Sequence, residues 1–162
     1  MYHTYVESPL GKLILISDGT ALTGLYILDY YDVSKKEIGE ENSAVEPFAE
    51  ARKQLRQFFD GKRTEFDLPL NIVGTDFQKK CWKQLLKIPY GKTISYGELA
   101  RRVGNEKASR AVGMANNRNP ICIIIPCHRV IGADGSLTGY GGGLPNKTAL
   151  LQLEGSNALV CV

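Results

Sequence analysis

An apolar run that ends abruptly at a proline and a cysteine is the feature that most constrains this chain. Residues 121–125 read Ile-Cys-Ile-Ile-Ile, and Pro126, Cys127, His128 and Arg129 follow directly. A short apolar run rich in β-branched side chains predicts a buried extended segment. Proline cannot donate a hydrogen bond to a sheet ladder, so Pro126 is expected to end the segment and place Cys127 on a turn at the rim of a core.

The chemistry of that turn favours a reactive thiol at Cys127. A neighbouring imidazole and guanidinium, here His128 and Arg129, both favour the thiolate, which is the nucleophilic form of cysteine. Consecutive side chains in a regular strand point to opposite faces, so contact between Cys127 and His128 needs the turn or a bridging water. On these residues alone, a buried structural cysteine is the alternative interpretation.

The distribution of charged residues indicates that the chain has two parts with different binding partners. The 162 residues suffice for one domain or two small ones. Residues 1–74 carry 8 Lys or Arg against 12 Asp or Glu, a net −4, whereas residues 75–162 carry 12 against 5, a net +7. The change of sign predicts a domain boundary after Gly74 and a polyanion partner for the second part only. Ordinary surface variation is the alternative.

Cysteine usage and hydropathy predict a cytoplasmic protein. No apolar run approaches the roughly 20 residues that span a membrane, and the start of the sequence lacks the pattern of a secretory signal. The spacing of the cysteines does not resemble a disulfide framework. We therefore expect reduced thiols and no membrane partner. We also expect a monomer. The four cysteines are Cys81, Cys122, Cys127 and Cys161.

The first 74 residues predict an antiparallel sheet with a packed helix. Short β-rich runs at 1–7, 12–17 and 22–27 are separated by turn chemistry, which predicts a meander. This part holds one histidine, His3, and no cysteine, so no metal site is expected. The other elements expected here are a loop over 30–43, a helix over 47–60 and a strand over 66–70.

Residues 75–162 predict a helical domain. Thr75-Asp-Phe-Gln78 and Ser95-Tyr-Gly-Glu98 have the capping-box spacing that opens a helix. A break at 104–105 and a helix over 106–117 then complete a winged helix-turn-helix-like DNA-binding unit. The expected fold class is α/β (α+β). The other elements expected are a first helix to about 87, a loop or hairpin over 131–138, a flexible loop over 139–143 and a last helix over 147–154.

One face of the helix predicted over 106–117 carries only small side chains. Reading of bases in the major groove uses long side chains such as Asn, Gln and Arg. Small residues instead allow close approach of the backbone, as in a narrow minor groove. The residues on this face are Ala108, Ser109, Ala111, Gly113 and Ala115.

Four motifs surround Cys127 in the second part of the chain. They are Arg110-Ala-Val-Gly113, Asn119-Pro120, Ile125-Pro-Cys-His-Arg-Val130 and Gly139-Tyr-Gly-Gly-Gly-Leu144. Together they resemble the O-6-alkylguanine-DNA alkyltransferases, and Pro-Cys-His-Arg-Val is highly specific to that family. The resemblance implies DNA repair by single-use transfer of an alkyl group from O-6-alkylguanine to Cys127. It implies double-stranded DNA as partner, O-4-alkylthymine as a further candidate substrate, and no metal or organic cofactor.

The resemblance also implies four catalytic residues. A Cys127–water–His128–Glu154 relay would form the thiolate, and the hydroxyl of Tyr96 would assist the departing base. Without the resemblance, Glu154 reads as a surface carboxylate at a helix end and Tyr96 as a residue packed under a helix start.

For recognition of the base, the resemblance implies that Arg110 fills the stack vacated by a flipped nucleotide. The alternative is that Arg110 contacts a phosphate or is an ordinary surface arginine. The carbonyls of Cys127 and Val130 would accept from the guanine amino group, and Asn119 would tie the turn together. The remaining expected contacts are the small face of the helix, the loop at Tyr140 and Gly141, and Lys147 at the pocket rim.

At two of these positions the sequence departs from the family pattern or allows another interpretation. Some family members have serine after the loop tyrosine, whereas this chain has Gly141, which leaves only a backbone N–H as donor. For Lys147, a solvated lysine is an equally good account.

Three other classes of protein stay open. A non-catalytic protein that binds alkylated DNA would lack the nucleophile. A helix-turn-helix regulator would need a recognition helix with long side chains and a dimer interface. A thiol hydrolase would turn over and ignore DNA.

Overall fold

Two nearly continuous runs of buried residues form adjacent strands of a four-stranded sheet in the first part of the chain. Its strands are β1 (Tyr2–Ser8), β2 (Gly11–Ser17), β3 (Leu22–Ile27) and β4 (Glu40–Glu41), in the order β3-β2-β1-β4. The first three pair antiparallel, which confirms the predicted meander, and β4 pairs parallel with β1. The helix α1 (Phe48–Phe59) accompanies the sheet in this part, as the apolar spacing predicts.

The protein, known here from a computed structural model, is described over residues 1–155. These form two compact units: Met1–Val73 with Pro120–Cys122, and Gly74–Asn119 with the chain from Ile123 onward. Residues 120–122 thus join the first unit, which a single division at residue 74 does not anticipate. That 1–74 and 75–162 are separate domains stays a prediction, and Cys161 lies outside the described residues.

Two predictions for the first unit are wrong. The segment 30–43 is not only loop, because it holds β4 and two 3-10 turns, Leu28–Tyr30 and Val33–Lys35, the first of which begins just before it. The strand expected over 66–70 is absent, and only Leu70 forms a β-bridge, with Leu22. Its place in a ladder is lost because the Gln54 side chain binds the backbone of Asp67 on both sides and Pro69 has no N–H.

The second unit is mostly helical. Thr75 and Gln78 cap each other reciprocally, which confirms the capping box that opens α2. The indole N–H of Trp82 on α2 donates to the Ala115 carbonyl at 2.8 Å and so ties two helices together. The elements are α2 (Asp76–Leu85), β5 (Ile94–Ser95), α3 (Tyr96–Arg102), α4 (Ser109–Asn117), β6 (Val130–Ile131) and α5 (Leu144–Leu153), with β5 and β6 parallel.

Two helix starts and one capping box differ from prediction. Ser95 accepts from the Glu98 N–H, but the Glu98 carboxylate pairs with Arg101 and Arg102, so this capping box is only half made. α4 begins at Ser109 rather than residue 106, because a turn closed by Asn105 precedes it. α5 begins three residues early, at Leu144. Within residues 1–155, no helix combines the length and apolarity that crossing a bilayer requires.

Candidate active site

A buried turn carries Cys127. Cys127–Arg129 forms a 3-10 turn, and the thiol-bearing residue is 2% exposed. The segment 121–125 before it is buried as predicted, but it is not extended. Only Ile121 forms a β-bridge, and Ile123 reverses the chain with a φ of 73°. The Asn119 side chain donates to the Ile125 carbonyl at 2.7 Å, which holds this reversal closed.

Glu154 and two residues of the turn form one buried network. His128 donates from Nε2 to Oε2 of Glu154 at 2.8 Å. Arg129 donates from Nε and Nη2 to the two oxygens of the same carboxylate, each at 2.8 Å, and from Nη1 to the Ile88 carbonyl at 2.7 Å. Two cationic or polar partners therefore satisfy one buried carboxylate.

Burial and hydrogen bonding set the charge states of this network. Burial acts to raise the pKa of Glu154, but the hydrogen bonds from His128 and Arg129 outweigh it and lower the pKa to about 2. Burial lowers the pKa of His128 despite its contact with Glu154. The imidazole is thus neutral beside an ionised carboxylate, with its proton on Nε2. Its Nδ1 lone pair is buried and has no hydrogen-bond partner within residues 1–155.

Arg129 lies where the sequence did not predict. We expected its guanidinium beside the thiol, whereas the structure places it on the Glu154 carboxylate. Asn116 was also missed: its Nδ2 donates to the Cys127 carbonyl at 3.2 Å. The signal for Asn116 is its spacing, because it follows Val112 by four residues and shares the buried face of α4.

Lys147 is fully buried, so its interpretation as a solvated lysine is wrong. Its Nζ donates to the carbonyls of Val130 at 2.6 Å, Gly139 at 3.1 Å and Thr138 at 3.5 Å. Burial lowers the pKa of Lys147 to about 8, while a negative charge on the Cys127 sulfur, when the thiol is ionised, acts to raise it. The ammonium therefore clamps the end of the active-site turn to the following loop.

Tyr96 lines an open cavity. Its hydroxyl donates to the Thr138 carbonyl at 2.6 Å, and burial raises the pKa of this hydroxyl. The cavity has a volume of about 350 Å³. Ala108 is buried and Ala111 is exposed, and neither lines it. The residues around the cavity are Tyr96, Ser109, Arg110, Gly113, Asn117, Thr138 and Gly139.

Comparison with known proteins gives consistent matches along the chain. Residues 76–156 match the DNA-binding domain of 6-O-methylguanine DNA methyltransferase, and residues 1–72 match its ribonuclease-like domain. A methylated-DNA--protein-cysteine methyltransferase of Mycobacterium leprae is 54% identical over 150 residues, 92% of this chain and 89% of that protein. One from Methanosarcina acetivorans is 51% identical over 159 residues, 96% of this chain and 99% of that protein. This chain belongs to the methylated-DNA--protein-cysteine methyltransferase family.

Solved structures support both the family and the fold class predicted from sequence. The crystal structure of Mycobacterium tuberculosis OGT in complex with DNA superposes with a TM-score of 0.88 at 49% identity, covering 95% of this chain and 92% of that one. The mixed α/β architecture, with a sheet first and a helical DNA-binding part second, is thereby confirmed.

In this member of the methyltransferase family, the glycine loop (residues 138–143) lies against the end of α4. A Cβ added at Gly141 would come within 2.8 Å of the Asn117 backbone oxygen, closer than real Cβ atoms approach. A serine at this position would therefore require the loop or the end of α4 to move. Tyr140 is buried. Within residues 1–155, no group of three or more His, Cys, Asp or Glu side chains is arranged to hold a metal ion.

Proposed function

We propose that this protein repairs DNA by moving the alkyl group of O-6-alkylguanine onto Cys127, each molecule acting once. The observation that carries the proposal is the buried active-site turn, in which His128 is oriented by Glu154 through Nε2 and keeps a lone pair on Nδ1. Such a neutral, oriented imidazole is the group needed to take a proton from a thiol.

The proposed reaction needs no cofactor. The thiol proton of Cys127 passes through a bridging water to Nδ1 of His128, and Glu154 stabilises the imidazolium that results. The thiolate sulfur attacks the alkyl carbon, a C–S bond forms and the C–O6 bond breaks. Its electron pair stays on the guanine, which then takes up a proton from water, and the His128 imidazolium returns its proton to water. The product thioether is a poor leaving group, so Cys127 is not regenerated.

The base would occupy the cavity beside Tyr96, whose hydroxyl would have to turn from the Thr138 carbonyl to assist the leaving guanine. The carbonyls of Cys127 and Val130 already accept from Asn116 and Lys147. A carbonyl oxygen has two lone pairs, so each can still accept from the guanine amino group. Tyr140, the N–H of Gly141, Asn119 and Lys147 shape the pocket around the base.

DNA would bind along the exposed side of α4. Ser109, Ala111 and Gly113 allow close approach to a minor groove, whereas Ala108 is buried just before the helix, and Arg110 lies at the cavity mouth. The net +7 of residues 75–162 supplies phosphate attraction. We propose double-stranded DNA as the partner, O-4-alkylthymine as a further substrate, a monomeric state and a cytoplasmic location with access to DNA.

The experiment that tests the proposed function is intact mass spectrometry after mixing with a duplex that contains O-6-methylguanine. One equivalent of duplex should add one methyl mass to the protein, and peptide mapping should place it on Cys127. Repeated turnover, or methylation at Cys81, Cys122 or Cys161 instead, would contradict the proposal. DNA binding without any mass change would favour the non-catalytic alternative.

Arg110 provides a prediction about how the base is reached. If its guanidinium fills the vacated stack, Arg110→Ala should slow transfer from duplex DNA roughly tenfold or more, since stacking is worth about 1–3 kcal/mol per base. Transfer from the free modified base should hardly change, and a single strand should show an intermediate loss. The measurement is the second-order rate constant for each substrate.

Arg110→Lys is the matched control for charge. Lysine keeps the charge but lacks the planar face, so it should restore little of the duplex rate. Full rescue by lysine, or equal losses on all three substrates, would make Arg110 a phosphate contact or surface cation.

A further inference from the structure

Asn117 places a side-chain amide at the loop end of the cavity. Ser109, Gly113 and Asn117 are four residues apart and share one face of α4, and all three line the cavity. Arg110 and Asn117 are separated by seven residues, or about 10 Å along the helix. Arg110 therefore lies at one end of the cavity and Asn117 at the other, beside the glycine loop.

The glycine loop fits closely around Asn117. A Cβ added at Gly139, which has a φ of 68°, would lie 3.2 Å from Nδ2 and 3.5 Å from Oδ1 of Asn117. The Asn117 carbonyl likewise excludes a side chain at Gly141. The loop therefore presents no side chain at these two positions, and the amide of Asn117 occupies the surface that such side chains would cover.

Two other side-chain donors near this end of the cavity, on Tyr96 and Lys147, already have protein acceptors. The Tyr96 hydroxyl donates to the Thr138 carbonyl, and the Lys147 ammonium donates to three carbonyls. The Asn117 side chain is exposed and makes no hydrogen bond to any residue within 1–155. Its two N–H donors are thus available to a bound molecule.

We propose that Nδ2 of Asn117 donates a hydrogen bond to O6 of the alkylguanine held in the cavity. This inference rests on the proposed function. As Cys127 attacks the alkyl carbon and the C–O6 bond breaks, the electron pair of that bond moves onto O6 and the ring. A fixed donor at O6 stabilises the developing negative charge without transferring its own proton. Asn117 is thereby a specificity-determining residue for an oxygen leaving group.

Replacing the oxygen by sulfur tests this contact. Sulfur is a weak hydrogen-bond acceptor, so the two substrates are duplexes with O-6-methylguanine and with S-6-methyl-6-thioguanine. Asn117→Leu removes the donor at similar size, and Asn117→Ala removes it together with the rest of the side chain, neither adding a charge. Each should lower the single-turnover rate on the oxygen substrate about tenfold, as expected for one lost hydrogen bond, and the rate on the sulfur substrate less than about twofold.

Arg118→Ala is the control, because Arg118 is the next residue, is exposed and does not line the cavity. It should change both rates by the same factor. Equal losses on both substrates in the Asn117 variants would make Asn117 a structural residue and overturn the inference, as would unchanged rates on both. Wild-type protein that methylates on neither substrate would instead overturn the proposed function.

Discussion

Replacing Cys127 with serine is expected to abolish alkyl transfer while leaving DNA affinity nearly unchanged. A hydroxyl is far less nucleophilic than a thiolate, and the His128 network is too weak a base to compensate. The exposed side of α4, to which binding is assigned, does not include Cys127. Intact mass after mixing with methylated duplex measures transfer, and titration at two salt concentrations measures binding, which should weaken as salt rises.

Cys81→Ala is the matched control, because Cys81 is another fully buried cysteine in the same unit. It should keep one methyl per molecule. A methyl group on the Cys127→Ser protein would reject Cys127 as the acceptor. Loss of DNA binding together with transfer would mean that the serine disturbs the fold, and binding that ignores salt would reject the role assigned to the basic part.

Replacing Glu154 with glutamine is expected to destabilise the fold and to slow alkyl transfer. The variant leaves the Arg129 guanidinium buried without its counter-charge, and breaking a buried ion pair in this way costs about 3–5 kcal/mol. His128 also loses its ionised partner, so transfer at neutral pH should slow and recover in part at high pH, where the thiol ionises unaided. Denaturant unfolding and single-turnover rates measure the two effects.

The lowered pKa values of Glu154 and His128 predict that the free energy of unfolding falls as the pH falls. The pKa of Glu154 is lowered to about 2 in the folded protein, so its contribution is fully present above pH 4.5 and is lost as the pH falls towards 2. The pKa of His128 is also lowered, so stability further declines as the pH falls below 6.5. Wild type should therefore lose stability in acid, and Glu154→Gln should show a flatter curve between pH 4.5 and 2.

Glu98→Gln is the comparison for this variant. Glu98 also pairs with two arginines, Arg101 and Arg102, but on the surface, where solvent screens the charges. Glu98→Gln should therefore lower the free energy of unfolding much less than Glu154→Gln does. Equal destabilisation by the two substitutions would show that burial of the Glu154 network contributes nothing.

Local patterns in the sequence were enough for much of the fold. Turn residues between β-rich runs predicted the meander, and the hydrogen bonds that open α2 lie within four residues of one another. The match to the family was likewise readable from contiguous motifs around Cys127. In each case the decisive interaction is local, so neighbouring residues carry the information.

Three of the failures depend on side-chain contacts that simple sequence patterns do not encode. The isoleucines of 121–125 predict a strand by composition, but the Asn119 side chain and the buried surroundings impose a reversal at Ile123. Lys147 looks solvated until the carbonyls of Val130 and Gly139 enclose it. Glu154 meets Arg129 across 25 positions, a pairing that no local pattern encodes.

The reversal at Ile123 affects how rigidly the nucleophile Cys127 is held. A β-branched residue with positive φ is costly, by about 1–3 kcal/mol, and persists only where its surroundings over-determine the backbone. Cys127 follows four residues later, so its approach to a base is set in advance and leaves little orientational entropy to lose on reaction. An enzyme that cycles must also let its product go and reset. A protein that reacts once has no such step, and rigidity at its nucleophile carries no penalty in turnover.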